Sequence, residues 1–164
     1  MSIRIAANYS PELLELLQAG QLGFLDYIKV PLVSPPLGQI RDARRFRRGL
    51  LHCWGKESIW VGAARLDEVI QSALVREMIE LTETPYVSTH LVLDFADFGS
   101  IGGFISENAR ELVFEHLVRN ILHIKSQLDR DLVLENMDFH HGRPMSPFVV
   151  NPSFISELLA EVDC

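Results

Sequence analysis

Three residues with metal-ligand chemistry stand where short apolar runs stop. Leu50-Leu51 ends on His52, Tyr86-Val87-Ser88-Thr89 ends on His90, and Leu132-Val133-Leu134 ends on Glu135, with Asn136 directly behind it. Imidazole and carboxylate together suit iron, manganese or zinc, whereas an all-oxygen set would point to magnesium or calcium. Open coordination positions on such an ion polarise a substrate or take up O2. A carboxylate just after an apolar run is costly unless it is paired or ligating, which singles out Glu135. The ordinary alternative for each histidine is a hydrogen bond to a nearby loop.

Other reactive residue types point elsewhere. Cys53 follows His52, but alternation along a strand sends the two side chains to opposite sides. Cys53 is therefore expected to be a small buried apolar group rather than a nucleophile. His116 and His123 share one helical pattern without a His-Glu-x-x-His spacing, so His116 is expected to be packed. Asp138, His140 and His141 fall in a polar loop and are expected to be loop residues. Cys53 and Cys164 are the only cysteines, which fits a reducing, cytoplasmic setting.

The elements that must position these residues alternate in type. Ile3–Ala7 is a first apolar strand, and Ser10-Pro11-Glu12 opens a helix with a cap, a proline at the first position and an acid in the first turn. Gly20 can end that helix. Tyr27–Val30 is the second strand, stopped by Pro31, and Val33–Pro36 must be a loop. Residues 40–48 form a short helix on which Arg41, Arg44, Arg45 and Arg48 share one face. That face is either solvated or an anchor for an acidic segment. After the His52 strand, Ser58–Ala64 is ambiguous. Leu66–Leu81 has a helical period, closed by Thr84-Pro85 before the His90 strand. The segment from Leu91 to Gly103 carries Gly99, Gly102 and Gly103 without a dinucleotide fingerprint, and suits a mobile lid. The longest helix follows, with Leu112, Val113, His116, Leu117, Ile121, Ile124 and Leu128 expected inward. After the Glu135 strand, one more helix starts at Asn151-Pro152-Ser153.

Strands alternating with helices imply parallel βαβ units. Continuous apolar runs imply that both faces of the sheet are covered. Polar residues at strand ends favour a partial (β/α)8 TIM barrel of about five βα units over an open doubly wound sheet, because barrel chemistry sits at the C-terminal strand ends. Residues 1–164 are expected to form a single domain, the N-terminal part of such a barrel, cut before a sixth strand. Two open sheet edges would then favour self-association. The net charge of −7 argues against nucleic acid as a partner. No apolar run is long enough for a membrane span.

The His52 strand end, Ser88-Thr89-His90-Leu91 and Leu134-Glu135-Asn136 together resemble the multinuclear non-haem iron oxidative enzymes, the β/α barrels typified by the methanobactin-biosynthesis oxidase. The resemblance covers about five strands. It implies iron ligation by His52, His90 and Glu135, a catalytic role for Glu135 with Asn136 beside it, and two or more iron ions. It further implies oxidative modification of cysteine in a small ribosomal peptide, helped by a peptide-docking partner protein. Lys29 and Pro31 occupy a region where that family usually carries an acid. The wider xylose-isomerase-like barrels offer an alternative: a manganese- or zinc-dependent sugar isomerase, epimerase or endonuclease. A non-catalytic half-barrel is the third reading.

Overall fold

The computed structural model describes residues 3–32, 37–53, 58–66, 72–93, 107–136 and 146–164. Residues 33–36, 54–57, 67–71, 94–106 and 137–145 lie outside the described residues, and with them the expected loop at Val33–Pro36, most of the expected glycine-bearing lid, and Asp138, His140 and His141.

Strands and helices alternate along the chain. They are β1 (Ala6–Asn8), α1 (Pro11–Gln18), β2 (Tyr27–Pro31), α2 (Leu37–Arg44), β3 (Arg48–Cys53), α3 (Ser72–Thr82), β4 (Tyr86–Leu91), α4 (Glu107–Gln127) and β5 (Asp131–Asn136). A 3-10 turn at Pro147–Val150 then leads into α5 (Pro152–Val162). All strand pairs are parallel, and the spatial order β1-β2-β3-β4-β5 is the chain order. A doubly wound sheet reverses its strand order at a switch point; this sheet does not. Right-handed crossovers repeated in one direction deliver every connecting helix to the same face. The α/β fold is therefore singly wound, consistent with successive strands of a barrel.

The core lies between that face and the helices. Ile28, Val30, Leu51, Cys53, Val87, Leu91 and Leu132 point into one cluster with Leu13, Leu17, Ile40, Val75, Met78, Leu117 and Ile121. The caps read from sequence are present: the Ser10 hydroxyl accepts from the Leu13 amide at 3.1 Å, Pro11 opens α1, and Gly20 sits at φ 72° past its end. Asn151 caps α5 by accepting from the Ser153 and Phe154 amides. Gly49 faces α3, where an added Cβ would stand 2.6 Å from the Thr82 Cβ. Thr82 is itself buried and tied to the Met78 carbonyl at 2.7 Å. Gly49→Ala is expected to cost about 1–3 kcal/mol by overpacking, read as a lower denaturant midpoint. An unchanged midpoint would show that the end of α3 yields freely.

Several expectations need correction. The first strand is Ala6–Asn8 rather than Ile3–Ala7. Asp26 accepts from the Ile5 amide at 2.9 Å, the Ile5 carbonyl turns to the Asp26 and Tyr27 amides, and pairing begins only at Ala6↔Tyr27. The arginine helix ends at Arg44, and Arg48 opens β3, paired with Tyr27. The four arginines therefore do not form one helical face. Arg44 and Arg48 both meet Glu83, the latter at 3.8 Å. Leu112 is 48% exposed rather than inward. Val133 of β5 is 39% exposed, so this strand is not covered on both faces by the described residues. Among the described residues, no helix is long and apolar enough to cross a membrane.

Candidate metal centre

Alternation sorts each strand into a helix-facing set and an opposite set. The opposite set includes Lys29 and Pro31 on β2, His52 on β3, Ser88 and His90 on β4, and Glu135 on β5. Register aligns them: Pro31 pairs with His52, His52 with Ser88, and His90 with Glu135. Parallel pairing places all of these C-terminal strand ends on one side of the sheet. All of them except Ser88 line a cavity of 320 Å³, together with Asn8 of β1 and Tyr9, the residue after it.

In a flat sheet, β2 and β5 would stand roughly 14 Å apart, three strand spacings. Yet the Lys29 Nζ donates to both Glu135 carboxylate oxygens at 3.0 Å. Side chains leaving a flat sheet in parallel would not meet across that span, so the sheet curls with this face concave.

His52, His90 and Glu135 can each offer one ligand atom, and these atoms all lie within 4.8 Å of one another. The Nε2 atoms of His52 and His90 are 3.2 Å apart, with the rings edge-on. Two imidazole nitrogens sharing one ion at about 2.0–2.1 Å stand roughly 3.0–3.4 Å apart at cis angles, so this spacing fits joint ligation. The Ser88 hydroxyl meets His52 Nδ1 at 2.8 Å, and Glu135 Oε1 lies 3.3 Å from the same nitrogen. With Nδ1 turned to the Ser88 hydroxyl, His52 Nε2 is left facing His90 Nε2, the usual way an outer partner orients a ligating imidazole. His90 Nδ1 is buried without a hydrogen-bond partner among the described residues. Such an orphan is expensive in a finished core and suits a ring whose orientation serves a site.

Charge is distributed unevenly. Burial lowers the His52 pKa to about 4, helped by the Lys29 charge and His90 and opposed by Glu135. Burial lowers His90 as well. Both rings are therefore neutral near pH 7, the form in which imidazole ligates. Burial pushes Glu135 up, but hydrogen bonds from Lys29 and Ser88 and the nearby His52 outweigh it, so the carboxyl is held below its ordinary range. The sign for stability follows from linkage: the unfolded chain protonates His52 near its ordinary pKa of 6.5, before the folded chain does. The His52 contribution is complete above pH 6.5 and is lost as pH falls toward 4. Denaturation midpoints of the metal-free chain should fall across that interval, and His52→Gln should flatten the slope. An identical slope in His52→Gln would assign the acid sensitivity to other groups.

The remaining candidates are placed apart. Asn136 follows Glu135, pairs with Leu91 and is exposed; by alternation it faces the helix side and does not line the cavity. Cys53 is fully buried with its thiol pushed up to about 12 by burial, as expected of an inert core group. His116 is buried and meets the Ala63 carbonyl at 2.9 Å. Beside it Asn120 donates to the Val61 and Ala63 carbonyls, so this helix face clamps the segment after β3. Lys29, Ser88, Asn8 and Tyr9 are site residues that motif reading did not assign. Lys29 did leave a signal: a lone cation inside the run Tyr27-Ile28-Lys29-Val30 needs a partner.

No protein-family model matches the chain, and no curated protein matches it either.

Proposed function

We propose that the chain is part of a (β/α)8 barrel enzyme with a metal centre of two histidines and one carboxylate, and that iron-dependent oxidation is its chemistry. The observation that carries this reading is the convergence of His52, His90 and Glu135, from three successive parallel strands, within 4.8 Å. Two histidines and one carboxylate with open positions are the donor set of non-haem iron oxygenases. Bound iron supplies Lewis acidity and one-electron chemistry. The protein's own part is to hold two neutral imidazoles, to keep Glu135 ionised, and to orient His52 through Ser88. A 320 Å³ cavity lies at the lower end for ligand pockets. It suits one side chain, in keeping with oxidation of a cysteine presented by a small peptide, with a docking partner holding the rest.

The test is O2 uptake by the full chain reconstituted with iron(II), with and without a cysteine-containing peptide. Peptide-dependent uptake that is lost in Glu135→Ala supports the reading. Absence of uptake in iron-loaded protein contradicts it. The Lys29 ammonium beside Glu135 favours a second reading, in which proton transfer and charge stabilisation drive a manganese- or zinc-dependent isomerase or epimerase. That reading predicts turnover without O2.

A further inference from the structure

Glu135 has two demands on it. As the carboxylate of the metal set it would give its lone pairs to an ion. In the structure both of its oxygens instead accept from the Lys29 Nζ, each at 3.0 Å. The contact joins residues 106 positions apart and crosses the concave face from β2 to β5. Among the described residues lining the cavity, Lys29 is the only lysine or arginine. The pair is about one-third exposed on each side, so solvent weakens its charge interactions without removing them.

We propose that Lys29 is a built-in competitor for Glu135: its ammonium occupies the carboxylate that the metal ion needs, so metal binding must displace it, and Lys29 thereby sets the affinity of the centre. This rests on the metal reading above and adds a residue that opposes loading. Two effects of removing Lys29 act in opposite directions. Loss of a hydrogen bond that orients a ligating carboxylate weakens binding. Loss of a positive charge beside the ion strengthens it, and the repulsion it relieves is doubled because the incoming ion is divalent. In a half-buried cavity the second effect is the larger. The displaced ammonium has room to withdraw into the cavity toward Asn8 and Tyr9.

The test uses the full chain and cobalt(II) alone as probe, read by titration calorimetry and by the visible absorption of the bound ion. Lys29→Met should bind cobalt(II) at least tenfold more tightly than the parent chain. Lys29→Arg, which keeps the charge, should stay near the parent. Lys29→Gln serves where Lys29→Met fails to fold: it retains a donor for Glu135 without the charge and should also bind more tightly. Equal or weaker binding by Lys29→Met and Lys29→Gln, while parent binding is still abolished by His52→Ala, overturns the competition and leaves the metal centre standing. Absence of binding in the parent and in all folded Lys29 variants overturns the metal centre and the competition with it.

Discussion

His52→Ala and His90→Ala should each lower the affinity of the full chain for a divalent ion at least about 100-fold, more than the roughly 10–100-fold that loss of an outer partner costs. The two Nε2 atoms stand 3.2 Å apart and face each other, so truncating either ring removes one of three donors and leaves the other without its counterpart. The fold should survive both changes. His52 and His90 lie on the cavity side of the sheet, away from the apolar cluster that joins strands to helices. Titration calorimetry together with circular dichroism checks both halves of the expectation. Full metal occupancy in the double variant would refute the site.

Phe154→Ala should carry the largest stability cost, about 3–5 kcal/mol, because it deletes a large buried ring and leaves a cavity that cannot fully collapse. Phe154 is 1% exposed. Its ring stacks on Phe148 at 5.5 Å, meets Phe114 edge-on at 5.7 Å, and lies under the Arg110 guanidinium at 5.5 Å. It therefore pins α5 and the preceding turn onto α4. Leu158 and Val162 extend the same contact, and Lys125 closes it by donating to the Val162 carbonyl at 2.6 Å. A fall in denaturant midpoint with an unchanged slope would place α5 inside the single cooperative unit. A cost below about 1 kcal/mol would mean that α5 unfolds separately from the sheet.

Some of this architecture is legible in the chain because local and global signals agree. β2, β3 and β4 are apolar runs bounded by turn residues, and Ser10-Pro11 and Asn151-Pro152 announce helix starts that the structure keeps. The convergence of His52, His90 and Glu135 was readable for a topological reason. Parallel strands in chain order bring their C-terminal ends to one side, so a residue that ends each run has its neighbours fixed. Boundaries were less legible where a side chain decides them. Asp26 draws the Ile5 amide away from the ladder, and Arg47 binds the carbonyls of Leu25, Leu22 and Gly23, fixing the turn that hands the chain from α2 to β3. Arg48 thus became a strand residue in a segment whose charge spacing reads as helix.

The polar partners were hidden by distance along the chain. Lys29 reads as an isolated charge until its carboxylate, three strands away, is known. Ser88 reads as one residue of a strand until register sets it opposite His52. Asn120 and His116 lie on a helix face that reads as core with two polar interruptions. Their purpose is visible only once Val61 and Ala63, from a segment with no clear period, are seen to present carbonyls to them. Each is a long-range pairing that local pattern does not encode.

As proposed, His52, His90 and Glu135 share one metal ion. The most direct measurement is an anomalous difference map from crystals of the full chain loaded with cobalt(II) or iron(II), collected at the metal edge. The expected result is a single peak in the cavity, about 2.0–2.2 Å from a ring nitrogen of His52, a ring nitrogen of His90 and a carboxylate oxygen of Glu135, with the Lys29 ammonium moved off that carboxylate. A peak at any other place, or a loaded crystal in which Lys29 still spans both Glu135 oxygens and the cavity shows no anomalous density, would contradict it.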